Sequence, residues 1–172
     1  MNKTYSLDRL FSVVRSVLVV GILSVCAPAW ALSLNGAGQK IVATSGAGQS
    51  TIVDLVENPD GTLSISAEQS GRLSHLGNFT GSFSYLATID YNTGTTLLDG
   101  EGVIRLPEGE LFVDVLIVEV GLDYPRPYTG FLLVKKGTGR FANARGLFEI
   151  TGVDEESLTD DFILSGFLLT KS

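Results

Sequence analysis

The chain has 172 residues, with 12 Lys and Arg against 19 Asp and Glu and a formal net charge of −7. A protein this acidic repels nucleic acid and anionic lipid surfaces, and no cluster of Lys or Arg offers a local exception. With one cysteine and one histidine, neither a disulfide framework nor a zinc site is expected. Stability must therefore come from a packed core.

The N-terminus predicts a secretory signal peptide over residues 1–31. Basic residues precede an apolar run at 17–26, and the Ala-Trp-Ala of residues 29–31 is typical of a cleavage site. The run is only about half the roughly 20 residues that a membrane-spanning helix needs. Two alternatives stay open, a retained anchor and lipid attachment at Cys26.

Cleavage would leave residues 32–172 as a single domain, which we expect to be secreted or periplasmic and to have no membrane contact. This part has nine basic and 18 acidic residues, a net charge of −9, and no cysteine. Its length is enough to bury about two thirds of the unfolded surface in one core.

From Gln39 onward, short apolar segments alternate with turn signals, and no long stretch has a helical period. The turn signals are ENPDGT, NTGT, LPEGE, DYPRPY and DEESLT. The nine segments between them are QKIVATS, STIVDLV, TLSISAEQ, HLGNFTGSFSYLATIDY, TLLDGEGVIRL, ELFVDVLIVEVGL, YTGFLLVKK, LFEITGV and DFILSGFLLTK. Eight or nine strands at this spacing predict an all-β barrel or sandwich.

The alternation of residues predicts which faces are buried. In the segment that begins at His75, one parity carries Phe79, Phe83 and Tyr85, while the other is rich in hydroxyl groups. In ELFVDVLIVEVGL and DFILSGFLLTK both parities are apolar, so both faces should be shielded from water. A barrel shields the inner face, and a second subunit would shield the outer one, which predicts a homo-oligomer.

The stretch GTGRFANARG is interpreted first as a structural corner between two strands. Gly137, Gly139 and Gly146 would permit backbone geometry that a side chain excludes, and Phe141 would fold back onto the core as a plug.

This stretch resembles the Gly-Thr-Gly-x-Phe-x-x-Ala-Arg-Gly motif of plant dirigent proteins and is similar to the corresponding loop of allene oxide cyclases. FILSGFLLT resembles the last strand of those families. GRLSHLGNFTG resembles a segment of secreted bacterial proteins of the same barrel superfamily.

The resemblance implies an eight-stranded antiparallel barrel with an apolar lumen, often assembled as a trimer; a dimer is the other expectation. It also implies that the lumen holds a reactive hydrophobic molecule in one conformation, without a cofactor. Arg145 matches the arginine of the dirigent motif, which the resemblance places near the pocket.

Several polar residues are candidates for chemistry in such a lumen. Asp114 and Glu119 have opposite parity, so at most one of them faces inward, where burial would raise the pKa of a carboxyl. Glu149 shares its parity with Arg145, and His75 would stand at a pocket mouth. For each of them a solvated position on the outer face or at a strand end is the alternative.

The sequence therefore predicts a barrel that binds a small hydrophobic ligand, and it leaves open whether the barrel is an enzyme. As a cofactor-free, isomerase-type cyclase or a dirigent-type protein it would use Arg145 with Asp114 or Glu149, and no metal. The predicted ligand-binding residues are His75, Phe79, Phe83, Tyr85 and Phe141. The alternative is a structural barrel with a filled core.

Overall fold

The computed structural model describes residues 38–171, so the predicted signal peptide lies outside the described residues. These residues form a closed antiparallel barrel in which each strand pairs with its neighbours in chain order and β1 closes on β8. The predicted all-β, eight-stranded architecture is confirmed. Its strands are β1 (Gln39–Glu57), β2 (Leu63–Leu73), β3 (Gly77–Asp90), β4 (Thr95–Leu106), β5 (Gly109–Val120), β6 (Arg126–Gly137), β7 (Arg145–Asp154) and β8 (Thr159–Lys171).

Two of the nine predicted segments, QKIVATS and STIVDLV, are one continuous strand, β1. The intervening Gly46 and Gly48 pair with strands on both sides instead of forming a turn. A side chain at position 48 would lie 2.7 Å from the ring of Phe162. Glycine is needed here because it leaves room for a core phenylalanine, so the count falls from nine segments to eight strands.

Alternating residues of each strand point into the barrel, as the pleat of a β-strand requires. In β3 the inward positions include Phe79, Phe83 and Tyr85, which are 3%, 3% and 8% exposed. The aromatic parity of this segment therefore faces the lumen. The inner face of the barrel is the hydrophobic core.

Five phenylalanines of the described chain fill the lumen from one end to its middle. We call this the closed end; it carries the β2–β3, β4–β5 and β6–β7 loops, and the filling residues are Phe79, Phe83, Phe141, Phe148 and Phe162. The rings of Phe79 and Phe162 lie 6.3 Å apart in a tilted arrangement, the spacing at which aromatic pairs attract.

The β6–β7 loop, which contains GTGRFANARG, closes this end of the barrel. Its short 3₁₀ helix, Gly139–Phe141, places Phe141 in the core, where the side chain is 1% exposed. Gly139 has a φ of 56°, and a side chain there would meet the carbonyl oxygen of Glu108. The backbone N–H of Arg140 donates to the same carbonyl at 2.9 Å, which ties the loop to the β4–β5 turn.

The outer face of the barrel carries an apolar row that runs across four strands. Leu133 of β6 pairs with Leu147 of β7, Leu147 with Phe167 of β8, and Phe167 with Ala43 of β1. Leu133 and Phe167 are 51% and 36% exposed. The predicted homo-oligomer stays a prediction, and this row is the surface that we expect it to use.

We expect Phe141→Ala to lower the free energy of unfolding by about 3 to 5 kcal/mol, the usual cost of deleting a buried phenylalanine. Urea denaturation followed by circular dichroism measures the change. Tyr91→Ala is the control, because Tyr91 is 74% exposed in the β3–β4 turn and its loss should cost little. Equal effects of the two substitutions would show that Phe141 does not plug the core.

We expect the double substitution Leu133→Ser and Phe167→Ser to convert an oligomer into a monomer, because it makes the apolar row polar. Sedimentation velocity measures the assembly state. Leu86→Ser, on the outer face of β3 where Leu86 is 47% exposed, should leave assembly unchanged. A wild-type chain that sediments as a monomer would refute the predicted oligomer.

Candidate functional site

The lumen is open at its other end, which carries the β1–β2, β3–β4, β5–β6 and β7–β8 loops. A cavity of about 210 Å³ lies there between the filled middle of the barrel and solvent. Much of its wall is apolar and comes from inward positions of several strands and from Leu158 of the β7–β8 loop. These wall residues are Ile52, Leu55, Leu63, Ile65, Ala67, Ala87, Ile89, Leu98, Ile117, Ile150 and Leu158.

Five polar side chains from β5 to β8 form a strip on one side of the cavity. The polar strip consists of Glu119, Arg126, Tyr128, Asp154 and Asp160. Strand register brings them together, since Glu119 pairs with Tyr128 across β5 and β6, and Arg126 pairs with Asp154 across β6 and β7. The ends of β5 and β7 therefore meet the starts of β6 and β8 at the open end.

Arg126 is the centre of a charged cluster within the strip. Its Nη2 atom makes an ion pair with Oδ2 of Asp154 and lies 3.6 Å from Oε2 of Glu119. The guanidinium also lies 4.5 Å from the ring centroid of Tyr124, a cation–π distance. All three charged side chains are less than one-fifth exposed. Mutual pairing offsets part of the cost of burying them.

Tyr128 and Asp160 form the second pair of the strip. The hydroxyl of Tyr128 donates to Oδ2 of Asp160 at 2.5 Å, which spans from β6 to β8 across β7. The strand between them carries Gly152, where a side chain would meet the ring of Tyr128. Glycine at this position thus lets the tyrosine lie over β7 and reach the carboxylate beyond it.

Three polar atoms of residues 38–171 that line the cavity are buried without a hydrogen-bond partner. They are Oε1 of Gln69, Oγ1 of Thr96 and Nε of Arg126. Gln69 Nε2 does have a partner, because it donates to the hydroxyl of Tyr85 at 3.4 Å. Buried polar groups are usually paired, since an unpaired one costs roughly 1 to 3 kcal/mol. These atoms belong to side chains that line the cavity, but the atoms themselves are almost completely covered. A small rotation of each side chain would therefore let it bond a guest.

Burial changes the protonation of the strip. It is the main cause that raises the pKa of Glu119 to about 7; Arg126 lowers this pKa, and the charges of Asp154 and Asp160 raise it. Burial also raises the pKa of Asp160, against the hydrogen bond from Tyr128, which lowers it. Glu119 is therefore a carboxyl group that can give or take a proton near neutral pH.

The structure places the predicted catalytic residues Arg145, Asp114 and Glu149 away from this cavity. Arg145 and Glu149 have the outward parity of β7 and are exposed, and Arg145 donates to the carbonyl of Ala144 at 3.0 Å. Asp114 has the outward parity of β5 and makes a 2.7 Å ion pair with Lys135. Strand parity keeps all three out of the lumen. Their catalytic roles stay predictions, and the proposals below rest on other side chains.

The predicted ligand-binding residues divide between the two ends of the barrel. Tyr85 lines the cavity. Phe79, Phe83 and Phe141 belong to the filled part of the core. His75 is exposed in the β2–β3 turn at the closed end, with a φ of 63°.

The predicted loop glycines lie in or beside the β6–β7 connection. A side chain at Gly137 would lie 2.7 Å from the carbonyl oxygen of Glu110, and one at Gly146 would lie 2.9 Å from the side chain of Leu168. With Gly139, these positions let three chain segments approach closely at the closed end.

Sequence reasoning missed most of the polar strip, although a signal was present. Glu119, Arg126, Asp154 and Asp160 each share the parity of buried apolar neighbours in their own strands and stand at strand ends. In an antiparallel meander these ends meet on the same rim. The parity argument had already separated Glu119 from Asp114, and the structure places Glu119 inside.

Within residues 38–171, no helix has the length and apolar character to cross a bilayer. In the same range, no group of three or more His, Cys, Asp or Glu side chains has the arrangement of a metal site.

No family model matches the chain, and no curated protein matches it either. Among solved structures it is similar to a pterocarpan synthase dirigent protein, with 13% sequence identity and a TM-score of 0.53. The match covers 86% of this chain and 100% of that chain. The dirigent part of the predicted resemblance is thus confirmed for the fold, and the fold by itself does not fix a function.

We expect stability to fall as pH rises from about 4.5 to 7, because the pKa of Glu119 is about 7 in the folded barrel against an ordinary 4.5. In this window the folded state holds the proton more tightly than the unfolded state does, so raising the pH favours unfolding. The full effect is about 3 kcal/mol above pH 7. Urea denaturation at several pH values measures it.

Glu119→Gln removes this titration, so its stability should exceed that of the wild type at pH 8 by up to this amount. Asp160 acts in the same direction, and only the difference between the two proteins reports Glu119. Asp99→Asn, on the exposed outer face of β4, is the control and should keep the wild-type profile. Parallel profiles for the wild type and Glu119→Gln would show that Glu119 titrates normally.

Proposed function

We propose that the open end of the lumen binds a small, mainly hydrophobic molecule that carries a hydrogen-bonding group. The observation that carries this proposal is the cavity itself, which combines an apolar wall with a polar strip on one side. Such a combination is typical of ligand sites, where apolar surface supplies affinity and a few polar groups fix orientation. The strip lies on strands, which hold it more rigidly than loops would.

The size of the cavity limits the guest. Drug-sized sites enclose about 300 to 1,000 Å³, whereas this one encloses about 210 Å³. We therefore expect a guest whose apolar part has about one or two rings. The alternative of a structural barrel with a filled core fits the closed end of the lumen, and the unpaired polar atoms of the open end favour a guest there.

A second function, acid-assisted ring closure of the bound molecule without a cofactor, is favoured by Glu119. At neutral pH about half of a carboxyl with a pKa near 7 is protonated, which suits a general acid. The similar barrel is a pterocarpan synthase dirigent protein, so at least one protein with this fold is a synthase. Holding the guest in a reactive conformation would contribute further to the rate. With the predicted signal peptide, we expect this function outside the cytoplasm.

The binding proposal is tested with 2-naphthylmethanol, a neutral two-ring molecule with one hydroxyl, by isothermal titration calorimetry. We expect binding by the wild type and a loss of roughly tenfold or more in Ala87→Phe, because the new ring occupies the cavity. Ala87 is 1% exposed and lines the cavity. Its neighbour Leu86 points outward and is 47% exposed.

Leu86→Phe is therefore the matched control and should bind like the wild type. Circular dichroism checks that both variants are folded, and Ala67→Leu, a smaller filling change on the same wall, provides a second test if Ala87→Phe does not fold. Equal affinity of wild type and filled variants would place the guest elsewhere and refute the proposal.

A further inference from the structure

We propose that the cavity selects a hydrophobic amine in its cationic form over a neutral alcohol and over a carboxylate of the same body. This inference rests on the proposed function, because it assigns the charge of the guest in the same cavity. Three observations support it: the charges around the cavity, its free acceptor atoms, and the net charge of the chain.

The charges that line the cavity are mostly negative. Glu119, Asp154, Glu156 and Asp160 are acids, and Arg126 is the only cation among the lining residues that the structure describes. Arg126 is itself held by Asp154 and Glu119. A carboxylate guest would meet an excess of like charge, whereas an ammonium group would meet the opposite charge.

Most of the polar groups around the cavity are hydrogen-bond acceptors, which need a donor from the guest. Gln69 is 6% exposed, and its free Oε1 atom can only accept. Asp160 accepts from Tyr128 through Oδ2 and has a second carboxylate oxygen. An ammonium group has three donors and no acceptor, a hydroxyl has one donor, and a carboxylate has none. The acceptors of this cavity therefore match an amine best.

Two unpaired atoms favour a carboxylate guest instead. Nε of Arg126 and the Oγ1 hydroxyl of Thr96 can each donate, and both side chains line the cavity. Against these two donors stand the free oxygen of Gln69 and the acids of the strip. The net charge of −9 on residues 32–172 also attracts cations from solution.

The test compares three probes with one naphthyl body: 2-naphthylmethylamine, 2-naphthylmethanol and 2-naphthoate. Titration calorimetry at pH 7.5 and low salt measures the three dissociation constants, and Ala87→Phe confirms that binding takes place in the cavity. We expect the amine to bind roughly tenfold more tightly than the alcohol, as a charge-assisted hydrogen bond would give, and the carboxylate to bind most weakly. The advantage of the amine should shrink at high salt.

Two variants show which groups make the selection. Glu119→Gln and Asp160→Asn should each weaken binding of the amine several-fold and leave binding of the alcohol nearly unchanged. Both keep the shape of the side chain, and either one suffices if the other does not fold. Asp99→Asn removes an acid from the outer face of β4 and should change none of the three affinities, which separates local charge from net charge.

The outcomes distinguish this inference from the proposed function. If the alcohol binds in the cavity and the amine binds no better, or if the carboxylate binds most tightly, the inference is wrong and the proposed function stands. If none of the three probes binds in the cavity, the proposed function is wrong as well. If the amine advantage persists unchanged in both strip variants, the strip carboxylates do not produce it and the assigned site is wrong.

Discussion

The interior of an eight-stranded barrel is only just wide enough for its own side chains, so an open volume exists only where inward residues are small. This constraint explains the two ends of the lumen. At the closed end, inward phenylalanines fill the space, and glycines on facing strands make room for their rings, as Gly48 does for Phe162. At the open end, Ala67 and Ala87 are inward instead. The cavity is what those small residues leave unfilled.

The narrow interior also determines which charged side chains can be buried in the lumen. A buried carboxylate is costly unless it is paired, and the strip provides a pair for each of two acids: Arg126 for Asp154 and Tyr128 for Asp160. The second pair depends on Gly152, because any side chain there would displace the tyrosine ring. Glu119 is the less well paired acid, since Arg126 lies 3.6 Å away and is already bound to Asp154. Burial raises the pKa of Glu119, and Arg126, shared with Asp154, offsets only part of that rise.

Much of the fold could be predicted from local signals, because turns and alternation are properties of short stretches. Seven of the eight strands and the inward aromatic parity of β3 follow from residues close in sequence, whereas the continuity of β1 depends on packing against the distant Phe162. The site could not be read in the same way. It depends on register between β5, β6, β7 and β8, which bring Glu119, Arg126 and Asp160 to one rim, and register is fixed by closure of the whole barrel. The glycine motif directed attention to Arg145, which lies at the other end.

The strip also puts stability and binding in opposition. A carboxyl whose pKa is raised by burial destabilises the folded barrel wherever it is ionised, and the same negative charge is what would attract a cationic guest. If Glu119 had only a structural role, an apolar side chain could replace it without loss of stability, because a packed core is more stable without a poorly paired acid. Removing its charge should therefore move two quantities in opposite directions, stability upward and affinity for a cation downward. Such a trade-off is typical of functional residues. Replacing a residue that only packs the core would instead lower stability and affinity together.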